Sequence, residues 1–497
     1  MVSGNNIVGG LVGRIENNEG THVTLTNCVN LGDVNSNGNT GGIVASLSSV
    51  DVFAVGNCAN SGFIHVICDS CFVGGLIGDV NDQKSTANPK FSISSFVNQN
   101  SMNVTCNDSA VGGVIGRIHE SANTNVALFN TTTSGSLHAA VKQVNSNPSV
   151  LGGLIGMITN NNNLTLTTDR SKNGFSIFSS GFNSVGGLLG SCSNSERHIN
   201  GASLSFFDSV NTKALSCQGA FVVGGLVGYL FSVKSVTLER CENQETLNVT
   251  GTDISVGGLI GMFDNKLNII ISPQVTMFES ANSGNINATS ETTSNVGGLV
   301  GTIQDNLNIV VLIENSTNNA NFIQSYGTND THTGGFVGSF AGNGNMKVSV
   351  SGCSNMAELY SSTKQISCIG GLIGELNENA QSEVTLSDVT NKGTIRPNGS
   401  NSCGGGLIGN VTANPVLALS ISNGFNSGHV TSEQTKSLFS LGGIIGNVKS
   451  NPSITMAIVT CKNTGNVTSF VLPTSHNGGF IGSIDTENWR SGLSSLC

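Results

Sequence analysis

One hydrophobic pattern recurs from Gly9 to the last copy at Gly478. Two glycines are followed by two apolar residues and a third small residue, as in Gly9-Gly10-Leu11-Val12-Gly13 and Gly478-Gly479-Phe480-Ile481-Gly482. The pairs begin at Gly9, Gly41, Gly74, Gly112, Gly152, Gly186, Gly224, Gly257, Gly297, Gly334, Gly370, Gly405, Gly442 and Gly478, at steps of 32 to 40 residues. Only Ala45 replaces the third glycine. Two residues later an apolar side chain returns, from Ile15 and Leu47 to Ile484, with Cys192 in one copy. Steps this uneven exclude a coiled coil and suit a solenoid with loop insertions.

Two further blocks keep their place in each copy. The second alternates, as in Val23, Leu25 and Cys28, in Val236, Leu238 and Cys241, and in Val348, Val350 and Cys353. A period near two predicts a half-buried strand, not a helix. The third reads Asn-x-Gly-x-apolar. Its asparagines are Asn30, Asn60, Asn98, Asn173, Asn211, Asn243, Asn282, Asn318, Asn355, Asn391, Asn426 and Asn463, with Thr133 as the exception. The apolar residue four positions on never fails, from Val34 to Val467. This column predicts an inward ladder, each amide bonded to the next coil and to turn backbone.

One copy cannot close a core; stacked copies can, by pairing like strands in parallel. The expected fold is all-β: a parallel β-solenoid of about 14 right-handed coils of about 36 residues, three strand segments in each. Residues 1–497 read as a single repeat domain, uncapped and cut from a longer array. Its ends would then self-associate or join further repeats. Insertions fall before and after the glycine strand, in loops that a partner would meet. Paired apolar residues such as Leu76-Ile77, Leu299-Val300 and Leu372-Ile373 would face opposite sides of a flat strand. Burial of both within the fold is expected, because an outer stripe of that length would be a large exposed apolar surface.

Composition agrees with a stack. Charged residues are 10% of the chain, against about 25% in ordinary soluble domains. There are 65 glycines, and Asn, Ser and Thr supply the polarity. The net charge is −10 and no run of Lys or Arg forms a basic face, so no nucleic-acid partner is expected. No apolar run approaches the roughly 18 residues of a transmembrane segment. The first residues lack the charged and apolar regions of a signal peptide.

These blocks resemble the GLUG-motif repeats. Their Gly-Leu-apolar-Gly core is seen in Gly10-Leu11-Val12-Gly13 and Gly258-Leu259-Ile260-Gly261, and the upstream element in Asn27-Cys28-Val29-Asn30-Leu31-Gly32-Asp33-Val34. The resemblance covers essentially the whole chain. It implies a repeat region of a large cell-surface or secreted protein of bacteria or protists, some of them attached to metallopeptidases. A glycan or a host or cell-surface protein would be the partner. The resemblance carries over no catalytic residue.

Other chemistry is sparse. His119-Glu120 is the lone His-Glu pair, and Asn123 stands where a zinc-binding helix needs its second His. Cys68-Asp69-Ser70-Cys71 supplies two of the four ligands of a structural zinc site. Cys68 with Cys106, Cys28 with Cys58, and Cys368 with Cys403 share offsets in neighbouring copies. They read first as ladders of buried thiols, with disulfides or a metal as alternatives. Asp264 and Asp305 lie at nearly one offset, and Asp79 and Asp82 share a turn. Such pairs could bind Ca²⁺ or act as acid and base. Eleven Asn-x-Ser/Thr sites, Asn103, Asn130, Asn248 and Asn466 among them, match what composition alone would give. No cofactor or metal is expected. The function that emerges is a non-catalytic structural or adhesive module, with no polar cleft. The alternative is a carbohydrate-active lyase or hydrolase, which would gather charges and aromatics in one region of the repeat.

Overall fold

The computed structural model describes residues 1–16, 18–81, 89–142, 149–194, 201–265, 272–432, 438–469 and 475–485. The chain divides into two compact units, 1–248 and 249–497. Each is a stack of parallel coils, and no helix occurs among the described residues. The fold is all-β, a parallel β-solenoid.

Each coil carries five short strands rather than the expected three. A coil of the second unit runs Ser294–Gly297, Val300–Gln304, Val310–Glu314, Thr317–Asn318 and Phe322–Tyr326. Its counterpart in the first unit runs Ala110–Gly112, Ile115–His119, Asn125–Phe129, Thr132–Thr133 and Gly135–Val141. The glycine block gives two strands because the chain bends inside it. The asparagine block gives two because only two residues pair before the next turn.

Register follows the repeat. Gly297 lies against Gly334, Val300 against Val337, Val311 against Val348, Asn318 against Asn355 and Ile323 against Leu359. Like residues therefore stack on like. In Val310–Glu314 the alternation buries Val311 and Ile313 completely.

The paired apolar residues of the glycine block both enter the core. Leu299 and Val300 are 0% exposed, and Leu76, Ile77, Leu372 and Ile373 are buried as well. The amides of Leu299 and Val300 both donate to the carbonyl of Phe336, at 2.9 and 2.8 Å. Two residues thus oppose one, as in a bulge, and the usual alternation of faces is cancelled there. The first copy differs: Leu11 is 49% exposed and Val12 half-buried. Glycine is required at this bend. A Cβ on Gly297 would lie 1.8 Å from the carbonyl oxygen of Val300, and one on Gly298 2.0 Å from that of Gly335.

The loop insertions predicted on either side of the glycine strand fall at 82–88, 143–148, 195–200, 266–271, 433–437 and 470–474, outside the described residues.

Candidate functional site

The repeated asparagines are buried, except half-buried Asn463, and their side chains join coil to coil. In the first unit, Nδ2 of Asn30 donates to Oδ1 of Asn60 at 2.8 Å, and Asn60 donates to Asn98 at 3.0 Å. After Thr133, which donates to Asn173 at 2.9 Å, the chain resumes from Asn173 to Asn211 and Asn243, each at 2.8 Å. In the second unit it runs from Asn282 through Asn318, Asn355, Asn391 and Asn426 to Asn463, with separations from 2.7 to 3.0 Å. The second proton of many of these amides goes to a backbone carbonyl two residues on, as from Asn391 to Gly393 at 3.0 Å.

A second asparagine ladder escaped the sequence reading. Nδ2 of Asn306 donates to Asn343, Asn343 to Asn379, Asn379 to Asn414 and Asn414 to Asn451, at 2.9 to 3.2 Å. All five are buried at the turn after the glycine strand. Their signal was present: each stands nine residues after the first glycine of its pair.

The thiol columns are mixed. Cys68 is bonded to Cys71, not stacked as a thiol on Cys106, and Cys368 to Cys403 across neighbouring coils. Cys28, Cys58, Cys106, Cys192, Cys217, Cys241, Cys353 and Cys461 are thiols rather than disulfides, all but Cys28 buried. Burial pushes the thiols of Cys192, Cys217 and Cys241 up to about 12. Among the described residues no three His, Cys, Asp or Glu side chains gather to hold a metal.

The carboxylate candidates come apart. Asp79 is buried and takes two hydrogen bonds from Arg117, at 2.9 and 3.1 Å. Asp82 lies outside the described residues. The register sets Gln304, not Asp305, against Asp264. His119 ends a strand, and its Nε2 lies 3.2 Å from Oε1 of Glu120.

The structure instead reveals an outer corner. The bend in the glycine block turns two strands toward each other on the outside of each coil. The residue two before the first glycine of one coil faces the residue five after the first glycine of the next. In the first unit the column five after the glycine runs Ser46, Asp79, Arg117, Met157, Ser191 and Tyr229, so large side chains enter the corner at several coils. The Arg117 guanidinium lies 3.4 Å from the centre of the Phe72 ring while it holds Asp79. Met157 and Tyr229 follow in the same column as Arg117.

In the second unit the corner opens into a groove of about 910 Å³. One wall stacks His332, Cys368, Cys403, Ser440 and His476. The other stacks Glu375, Asn410, Asn447 and Ser483. Nδ1 of His332 lies 2.9 Å from Oδ1 of Asn295, and its Nε2 3.2 Å from Oε2 of Glu375. The other oxygen of Glu375 accepts from Asn410 at 3.0 Å, and Asn410 accepts from Asn447 at 3.0 Å. Asp330, Lys449 and Asp485 complete the polar lining. The expectation of no polar cleft is overturned: polar residues gather here without any break in the repeat. They lie on strands of the regular repeat, at the outward position five after the first glycine.

No protein-family model matches the chain, and neither a curated protein nor a solved structure does.

Proposed function

We propose that this chain is a non-catalytic repeat module of a cell-surface or secreted protein, and that it recognises a glycan. The observation that carries this reading is how the carboxylate in the groove is held. Both oxygens of Glu375 are engaged, one by His332 and one by Asn410. A carboxylate fixed in this way is suited to hold shape and offer remaining lone pairs, rather than to pass a proton. The asparagine ladders serve the same end by making each unit a stiff support. The resemblance to GLUG-motif repeats favours an extracellular setting and an adhesive role.

A carbohydrate-active enzyme is the second reading. Glu375, Asp330 and Asp485 line one concavity, and glycoside cleavage uses paired carboxylates. Exposure of the purified chain to a glycan array and to a panel of polysaccharides separates the two. The recognition reading expects retention on particular glycans with no shortening of any polymer. Chain cleavage in the panel would establish the enzyme reading, and an array with no bound glycan would remove the recognition reading.

A further inference from the structure

We infer that the groove between His332 and Ser483 binds a neutral, extended oligosaccharide, one sugar to each coil. This rests on the recognition reading above and names its ligand class and site.

The first argument is spacing. Parallel coils stack at about 4.8 Å, so polar side chains along a wall repeat at that interval. This is close to the rise of one pyranose in an extended β-linked chain. An extended peptide rises by about 3.3 Å per residue and falls out of step at once. Nor can a peptide add as a strand along the groove. The strands of both walls already pair with the coils on either side, as Ile366–Gly370 does with Thr331–Gly334 and Asn401–Gly405. Side chains must do the recognition.

The second argument is chemistry. The amide wall offers fixed donors and acceptors at successive coils, because Glu375, Asn410 and Asn447 orient one another. An amide has two protons to donate, so each keeps capacity for a hydroxyl. Apolar side chains stand at the rim: Ile366 is 37% and Leu438 52% exposed, with Asn401 between them in register. A pyranose presents this same division, an apolar face of C–H groups and an edge of hydroxyls. Acidic and basic side chains are both present in the lining, with Glu375, Asp330 and Asp485 against Lys449 and two histidines. That mixture does not select a polyanion. From His332 to His476 is four coil steps, about 19 Å, enough for four or five sugars.

The test is calorimetric titration of the full chain with cellohexaose, xylohexaose, mannohexaose and N-acetylchitohexaose, with hexagalacturonate as the acidic comparison. Ser440→Trp fills the middle of the groove. The expected result is binding of a neutral hexasaccharide that the variant weakens at least about tenfold. A footprint on the unaltered chain gives the second measurement: bound sugar slows acetylation of Lys449 but not of exposed Lys392, which lies outside the groove. If S440W does not fold, the footprint decides. Glycan binding that leaves both S440W affinity and Lys449 reactivity unchanged overturns the groove and leaves recognition standing. Preference for hexagalacturonate overturns the neutral class. No binding of any sugar, in titration or on the array, overturns both.

Discussion

An asparagine in these ladders is held by bonds on both sides, so its loss leaves partners unmatched in both neighbouring coils. Asn391 donates to Asn426 and accepts from Asn355. Asn391→Leu keeps the volume and removes both of these bonds and the one to the Gly393 carbonyl. Each buried polar group left alone costs about 1–3 kcal/mol. The variant is expected to lower the unfolding midpoint in denaturant and to speed amide exchange near Asn355 and Asn426; an unchanged midpoint would show the ladder to be energetically idle. Thr333 makes the opposite case. It is fully buried, its hydroxyl has no partner among the described residues, and Val296 and Ile369 flank it in register. Thr333→Val removes an unmatched hydroxyl at constant shape. A gain of about 1 kcal/mol is expected, read as a raised midpoint.

The glycine bend is the element on which both core and groove depend. A Cβ on Gly371 would meet the Gly406 carbonyl oxygen at 2.0 Å and the Asn391 side chain at 2.5 Å. The first contact is with the next coil and the second with the ladder asparagine of its own coil, so Gly371→Ala must part the strands or displace the ladder. Among the described residues, Gly479 has nothing within 4 Å of the same position. Gly371→Ala is therefore expected to destabilise by several kcal/mol, of the order of overpacking and ladder loss together, while Gly479→Ala stays within about 0.5 kcal/mol. Thermal melts of the two variants side by side check this. The repeat of glycine pairs made the element legible, and the pairs of apolar residues after them hinted at its bend. The division of three blocks into five strands was not legible, because it depends on where two successive amides share one carbonyl.

Across the molecule, the buried thiols link stability to alkaline pH. Burial raises Cys192, Cys217 and Cys241 from 9.0 to about 12. Their folded values lie above the unfolded ones, so their contribution is fully present below pH 9 and falls away as pH rises toward about 12, where the unfolded chain gains thiolates that the folded chain refuses. The unfolding midpoint is expected to fall through that window, and more shallowly when Cys192 and Cys217 are replaced by Ala. At neutral pH the same three thiols should resist iodoacetamide until the chain unfolds. The candidate site also belongs to this scale. Its residues come from five successive coils of the second unit, and no single copy contains it.

The sequence by itself determined the repeat, its register and the asparagine ladder. A residue at a fixed offset from its glycine pair must stack on its counterpart in the next coil, so a column in the alignment of copies is a column in space. It also held, unread, the second ladder nine residues after the glycines. Which columns face each other was decided only in three dimensions. The position two before the first glycine of one copy and the position five after that of the next lie 45 residues apart at Phe72 and Arg117 and 43 at His332 and Glu375, and nothing in that spacing makes them neighbours. The bend does, by folding two strands into a corner. There Phe72 meets Arg117, His332 meets Glu375, and the second unit opens a groove. The Cys368–Cys403 bond follows the same division: shared offset brought the thiols together, while the choice between thiol and disulfide depended on the distance between two coils.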